Sequence, residues 1–228
     1  MMSVAEAERR IAWQEKVYQD HLNRSTEVQI EFLGRPLVVA ADVFQPAPPE
    51  FNLLAAAVLQ HVRETDVVLD MGTGSGVQAI LAASRAQRVL AVDANPEAVR
   101  CAARNVELNG LTERIEIRQS DLFENVEGRF DVILFDPPFR WTKPRDRWEQ
   151  STADEGYRSL RIFLQECRGH LTEGGRVLLF FGTSGDLAYV QRLVRENGFR
   201  RRQLMKARHP AGWEYFTYRL TDGRDASA

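Results

Sequence analysis

From Val67 onward the chain alternates short apolar runs with helix-forming segments, and this alternation restricts the fold more than any other feature. The runs Val67–Met71, Arg88–Asp93, Ile115–Gln119, Phe130–Phe135 and Arg176–Phe181 read as buried strands, with helices expected at about 76–85, 96–108, 153–170 and 186–197. Buried strands separated by helices predict a mostly parallel sheet with right-handed crossovers, an α/β fold of Rossmann-like type. Asn95 as N-cap, Pro96 in the first turn and Asn109-Gly110 at the end mark one helix well. Near the C-terminus, Gln203–Ala207 and Trp213–Leu220 flank His209-Pro210-Ala211-Gly212, which predicts an antiparallel pair at a sheet edge. Before Val67, residues 3–22 predict an amphipathic helix with Ile11, Trp13 and Val17. A hairpin is expected from Val28–Phe32 and Leu37–Ala40 around Gly34-Arg35-Pro36, and then a helix from about Glu50 to His61. The expected organisation is an N-terminal helix-and-hairpin appendage at 1–49, one domain at 50–220, and a disordered tail at 221–228.

Composition removes several classes. The 30 Lys and Arg against 32 Asp and Glu give a net charge of -2, which argues against a dedicated DNA-coating protein but leaves room for local basic patches. Two cysteines, Cys101 and Cys167, both in helical stretches, exclude a disulfide scaffold and paired zinc ligands. No secretory n-region or h-region is read at the N-terminus, so a reducing, cytoplasmic setting is expected. The longest apolar runs, such as Phe51–Leu59, fall short of the ~20 residues that span a bilayer. His21, His61, His170 and His209 show no metal spacing, so no metal and no catalytic histidine are expected.

The first strand runs into Asp70-Met71-Gly72-Thr73-Gly74-Ser75-Gly76 and a helix follows at once. Glycines at this turn allow a ligand close to the backbone and leave N–H groups at the helix start available. The third glycine comes one residue too early for a dinucleotide fingerprint, which weakens an NAD reading. Asp93 closes the second strand 21 residues after Gly72, where a carboxylate can accept from both hydroxyls of a ribose. Asp121 follows the third strand and could accept from an adenine amino group, or cap a turn. An adenosine-containing ligand is implied.

The fourth strand ends in Asp136-Pro137-Pro138-Phe139. Two prolines cannot continue a ladder, so they fix an extended backbone at the cleft mouth. Asp136 and a freed carbonyl can then hold a planar amino group by its two hydrogens while Phe139 stacks on its face. Chemistry on nitrogen is expected. Next comes Arg140-Trp141-Thr142-Lys143-Pro144-Arg145-Asp146-Arg147-Trp148, read either as a substrate lid contacting phosphates and bases or as a solvated loop with packed Trp residues. A second basic cluster, Arg200-Arg201-Arg202 with Lys206 and Arg208, fits a strand's solvent face equally well.

The run Val67–Gly76, with Val92-Asp93-Ala94-Asn95-Pro96 and Ser120-Asp121-Leu122, resembles class I S-adenosylmethionine-dependent methyltransferases over about residues 50–220. That resemblance implies a seven-stranded sheet in order 3-2-1-4-5-7-6 with strand 7 antiparallel. It also implies S-adenosylmethionine as cofactor and S-adenosylhomocysteine as product. By carry-over, Asp70, Gly72, Thr73, Gly74 and Gly76 hold the methionine part, Asp93 and Ala94 lie at the ribose, and Asp121 with Leu122 at the adenine. Asp136-Pro137-Pro138-Phe139 is similar to the motif of amino-group methyltransferases, which makes Asp136, Pro137 and Phe139 the catalytic candidates and Pro138, Arg140 and Trp141 the substrate-binding ones. Phe44–Glu50 and Trp213–Tyr218 look like HemK-type proteins, which mostly methylate glutamine amides of translation factors and carry Asn where this chain has Asp136. The Asp form is similar to families acting on exocyclic amines of guanine or adenine. The implied partner is thus RNA or a translation protein, with monomer and dimer both open. Methylation of a small molecule, or a silent RNA-binding protein keeping the fold, are the alternatives.

Overall fold

The computed structural model describes residues 3–23 and 27–223. Helix α1 spans Val4–Leu22 and starts on a capping box, in which Glu6 N donates to Ser3 Oγ and Ser3 N to Glu6 Oε2, each at 3.2 Å. Strands β1 (Val28–Phe32) and β2 (Arg35–Val39) form an antiparallel hairpin. Its turn is Leu33-Gly34, both left-handed at φ +49° and +75°, and not Gly34-Arg35-Pro36 as the sequence suggested. Two left-handed residues make the tight turn that matches strand twist, and Pro36 is tolerated in β2 because β2 pairs on one side only.

Helix α2 (Leu53–His61) begins later than expected, because Phe51 N and Asn52 N both turn back onto Pro48 O and Asn52 Oδ1 then caps Ala55 N. The alternating region follows the sequence closely: β3 (Val67–Met71), α3 (Val77–Ala83), β4 (Arg88–Asp93), α4 (Pro96–Leu108), β5 (Ile115–Gln119) and β6 (Phe130–Phe135). Then come α5 (Arg158–Glu166), β7 (Leu171–Gly182), α6 (Leu187–Glu196), β8 (Phe199–Arg208) and β9 (Glu214–Asp222). The sheet order β5-β4-β3-β6-β7-β9-β8, with β9 antiparallel to both neighbours, is the order expected from the resemblance. One face of the sheet is covered by α5 and α6, with Phe163, Leu164 and Val190 in the core, and the other by α2 and α3, with Leu54, Val58 and Ile80.

Three further expectations are corrected. The helix foreseen at 153–170 is broken, since Gly156 and Tyr157 are left-handed at φ +60° and +56° and only Arg158–Glu166 is α-helical. β7 starts at Leu171, five residues before the apolar run, because its register against β6 shifts between Phe130 and Val132. Thr221 and Asp222, foreseen in the tail, extend β9, and Asp222 pairs with Arg168; residues 224–228 lie outside the described residues. Among the described residues no helix is long and apolar enough to cross a membrane.

Candidate active site

After β3 the chain turns through Gly72, Gly74 and Gly76, all left-handed at φ +70°, +57° and +83°. Gly72 N and Thr73 N both donate to Val92 O at 2.9 Å, which ties the loop to the end of β4. A Cβ on Gly72 or Gly74 would meet nothing within 4 Å, so their φ values, and not crowding, call for glycine there. Gly76 is different: its Cβ would stand 3.2 Å from Ala102 Cβ, so this glycine seats the loop on α4.

Asp70, 2% exposed, accepts from Thr73 Oγ1 at 2.6 Å and Ala79 N at 3.1 Å. Burial nevertheless pushes its pKa up to about 7. Asp93 accepts from Gly74 N and Asn95 N, one on each carboxylate oxygen and each at 2.9 Å, while burial raises its pKa. Each oxygen keeps lone-pair capacity for a hydroxyl donor.

Asp136 directly follows β6 and stands exposed at the cleft. The surrounding cleft walls, and then the charge of Asp70, raise its pKa, and its exposure to water limits that rise. Pro137 is buried and Pro138 half-buried behind it. The Phe139 ring lies 4.5 Å from Phe181, 5.7 Å from Phe180 and 6.1 Å from Tyr215, centroid to centroid. Its carbonyl accepts from Tyr157 Oη at 2.9 Å, and that oxygen accepts from Asp186 N at 2.8 Å, so the left-handed break before α5 serves to fix the acceptor motif.

One cleft of about 430 Å³ brings the glycine loop, Asp70, Asp93 and Ala94 together with Asp136–Phe139. Its volume is in the range of small-ligand sites. The α1 helix also lines it, through Trp13, Gln14 and Val17. The basic loop fastens this helix. Arg140, its side chain 5% exposed, pairs with the buried Glu149 and donates to Gln14 O. Arg145 pairs with Glu149 at 2.8 Å and Glu15 at 3.0 Å and lies over the Tyr18 ring, and Trp148 stacks on His21 at 3.8 Å. These Arg and Trp side chains are therefore committed to the protein itself, whereas Lys143 and Arg147 are exposed.

Four of the expected site residues do not line this cleft: Gly76, which packs against Ala102 of α4, and Asp121, Leu122 and Trp141. Asp121 is 45% exposed and 3.7 Å from Arg158, Leu122 is left-handed and packs on the core, and Trp141 packs there too. Conversely, sequence reasoning passed over Asn52, Phe180, Ser184, His209 and Tyr215, which all line it. The ending around Tyr215 had stood out as a motif, but only the β7–β9 pairing places it beside Phe139.

The residues present fit S-adenosylmethionine. Three carboxylates, Asp70, Asp93 and Asp136, complement a cationic ligand. The glycine loop gives close backbone access, and Asp93 has acceptor capacity for a ribose.

The family model of the methyltransferase small domain matches residues 51–201. A protein of Methanocaldococcus jannaschii named as an N5-glutamine methyltransferase is 34% identical over 172 residues, 72% of this chain and 85% of that one. The release factor glutamine methyltransferase of Cereibacter sphaeroides is 34% identical over 183 residues, 75% of this chain and 64% of that one. Among solved structures, the T. thermophilus 16S rRNA N2 methyltransferase bound to S-adenosylmethionine and guanosine superposes with a TM-score of 0.65 at 21% identity. The M. jannaschii tRNA m1G37 methyltransferase gives 0.63, also at 21%. Each match covers 86% of this chain, but 50% of the first structure and 57% of the second, and shows the fold.

Proposed function

The chain belongs to the methyltransferase small domain family and is an S-adenosylmethionine-dependent methyltransferase, and from that premise we propose that it methylates a planar amide or amino nitrogen held at Asp136 in a macromolecule of translation. The observation that carries this reading is Asp136 opening, beside Phe139, into the same cleft as the glycine loop and Asp93.

When bound, the cofactor supplies a methyl group on a positively charged sulfur. The protein's part is placement and electrostatics. Asp93 and the Gly72–Ser75 backbone fix the donor, the Asp136 carboxylate accepts an N–H of the acceptor, and Phe139 covers its planar face. Charge that develops on the acceptor nitrogen is met by Asp136, whose ionisation a cationic ligand favours. Phe180, Tyr215 and Trp13 wall the site and keep water from the transferring group. Asp121 and Leu122, just past the end of β5 and outside the cleft lining, are proposed as adenine contacts by carry-over from the resemblance alone.

A glutamine amide of a translation protein is the acceptor we favour. Two relatives that bear glutamine methyltransferase names support it, as does the pairing of Arg140 and Arg145 with Glu149, which commits two of the loop's four basic side chains to the protein itself. The second reading, an exocyclic base amine, is supported by Asp136 in the motif and by the aromatic walls. We place the enzyme in the cytoplasm, where both acceptors reside.

Tritiated-methyl transfer is the test, with a purified release factor and total rRNA offered separately. Label in the release factor alone is expected. Label in rRNA alone would replace the glutamine reading by the base-amine one, and transfer to neither would remove both.

A further inference from the structure

The hairpin is fastened to α4 by three side chains spaced one helical turn apart. Cys101 Sγ donates to Val38 O at 3.2 Å, and Asn109 Nδ2 donates to Pro36 O at 2.9 Å. Between them, Asn105 Oδ1 accepts from Val38 N at 2.7 Å while its Nδ2 donates to Val38 O at 2.8 Å. Positions i, i+4 and i+8 lie on one helix face, so α4 satisfies the outward edge of β2 in place of a further strand. Asn105 does one thing the other two do not. Its Nδ2 also donates to Ser75 O at 2.8 Å, the carbonyl that closes the glycine loop before α3.

Asn105 is fully buried, and its three bonds to Val38 and Ser75 leave its amide orientation without an alternative: the oxygen faces an N–H and the nitrogen faces two carbonyls. One turn earlier on α4, Ala102 receives Gly76 in close contact. Helix α4 therefore grips the loop at two consecutive residues, by packing at Gly76 and by a hydrogen bond at Ser75.

We propose that Asn105 is a positioning residue for the cofactor: by holding Ser75 O against the hairpin it fixes the Gly72–Ser75 backbone where the methionine half of the cofactor is received. The proposal rests on the cofactor reading above. Losing the bond leaves a buried carbonyl unpaired and lets the loop relax, which weakens a ligand that uses the loop and spares one that does not.

The test compares two ligands on three purified variants by calorimetry: S-adenosylhomocysteine, which carries the amino-acid half, and 5′-methylthioadenosine, which lacks it. Asn105→Asp keeps the acceptor for Val38 N and loses the donor to both Ser75 O and Val38 O. It should weaken S-adenosylhomocysteine about tenfold and leave methylthioadenosine within about twofold. Asn109→Ala removes the bond to Pro36 O of the hairpin and one to the Asn105 carbonyl but leaves the Asn105 side chain and Ser75 untouched, so it should lower the melting temperature and change neither affinity. If Asn105→Asp does not fold, Asn105→Ala carries the same expectation, since it removes the donor to Ser75 O without placing a charge in the buried site. Unchanged S-adenosylhomocysteine affinity, equal loss for both ligands, or the same loss in Asn109→Ala would each overturn the proposal. Wild-type protein that binds neither ligand would instead overturn the cofactor reading.

Discussion

Tyr215 lies flat against the Cα of Gly182: a Cβ at that glycine would stand 2.3 Å from Tyr215 Cδ1 and 2.6 Å from Cε1. Gly182 sits at the end of β7 directly opposite Tyr215 in β9, so the missing side chain makes room for a ring in the acceptor wall. Gly182→Ala should push that ring off the strand. We expect methyl transfer to fall about tenfold or more, since small displacements in a reacting site are costly, while S-adenosylhomocysteine affinity stays within about twofold. A variant with wild-type turnover would show that the ring is not part of the acceptor wall.

Glu149 is the common partner of Arg140 and Arg145, and both it and Arg140 are buried. Glu149→Ala leaves the Arg140 guanidinium without its carboxylate, a change that costs on the order of 3–5 kcal/mol for a buried pair. Arg145 is half exposed, so Arg145→Ala should cost about 1 kcal/mol or less. Chemical denaturation measures the difference. Amide exchange in α1 should rise in Glu149→Ala, because Arg140 also holds Gln14 O.

The strands from Val67 to Phe135 were legible to the residue, because each is a short apolar run flanked by turn or capping residues. The glycine loop and Asp93 were legible for the same reason: sequence spacing and sheet order fix both at one edge. What the sequence hid depends on long-range partners. The kink at Gly156 and Tyr157 exists because Tyr157 Oη must reach Phe139 O, which no local pattern reveals. The basic loop could be read as a surface for phosphate or as a solvated loop, because nothing local shows that Glu149, just after it, turns inward onto Arg140 or that Glu15 of α1 meets Arg145. Likewise, α1 read as an appendage, since its pattern of mostly polar residues gives no sign that Trp13 and Gln14 face a cleft.

Acidity should act on binding through Asp70 and Asp136. Burial raises the Asp70 pKa to about 7 from an ordinary 3.8, and that of the more exposed Asp136 moves the same way, so the free protein holds protons there that the unfolded chain releases between about pH 4 and 7. These two groups therefore lower folding stability as pH rises through that window, and stop doing so above it. A cationic ligand favours the ionised forms, so S-adenosylmethionine affinity should rise from pH 6 to 8, with proton release seen as buffer-dependent heat. S-adenosylhomocysteine lacks the charged sulfur and should show the shallower rise. Equal slopes for the two ligands would contradict an ionised Asp136 beside the sulfur.

Charge reversal separates the two acceptor readings. Lys143→Glu with Arg147→Glu changes exposed charges of the basic loop, whereas Arg145→Glu sets like charges against Glu15 and Glu149. For an RNA acceptor the double variant should reduce the salt dependence of rRNA binding by about one to two units of log-log slope. For a protein acceptor, rRNA binding is weak at low salt and the double variant leaves release-factor labelling within about twofold. Arg145→Glu should lower the melting temperature in either case.

The central claim is that Asp136 holds the acceptor and not the cofactor, and Asp136→Ala tests it most directly, with tritiated-methyl transfer and S-adenosylhomocysteine calorimetry run on the same preparation. Transfer is expected to fall by two orders of magnitude or more, as for loss of a group that stabilises transition-state charge, while the affinity changes by about twofold or less. Asp136→Asn keeps an acceptor oxygen and should retain part of the transfer to a glutamine amide. Near-normal transfer in Asp136→Ala, or loss of transfer together with S-adenosylhomocysteine binding, would contradict the account.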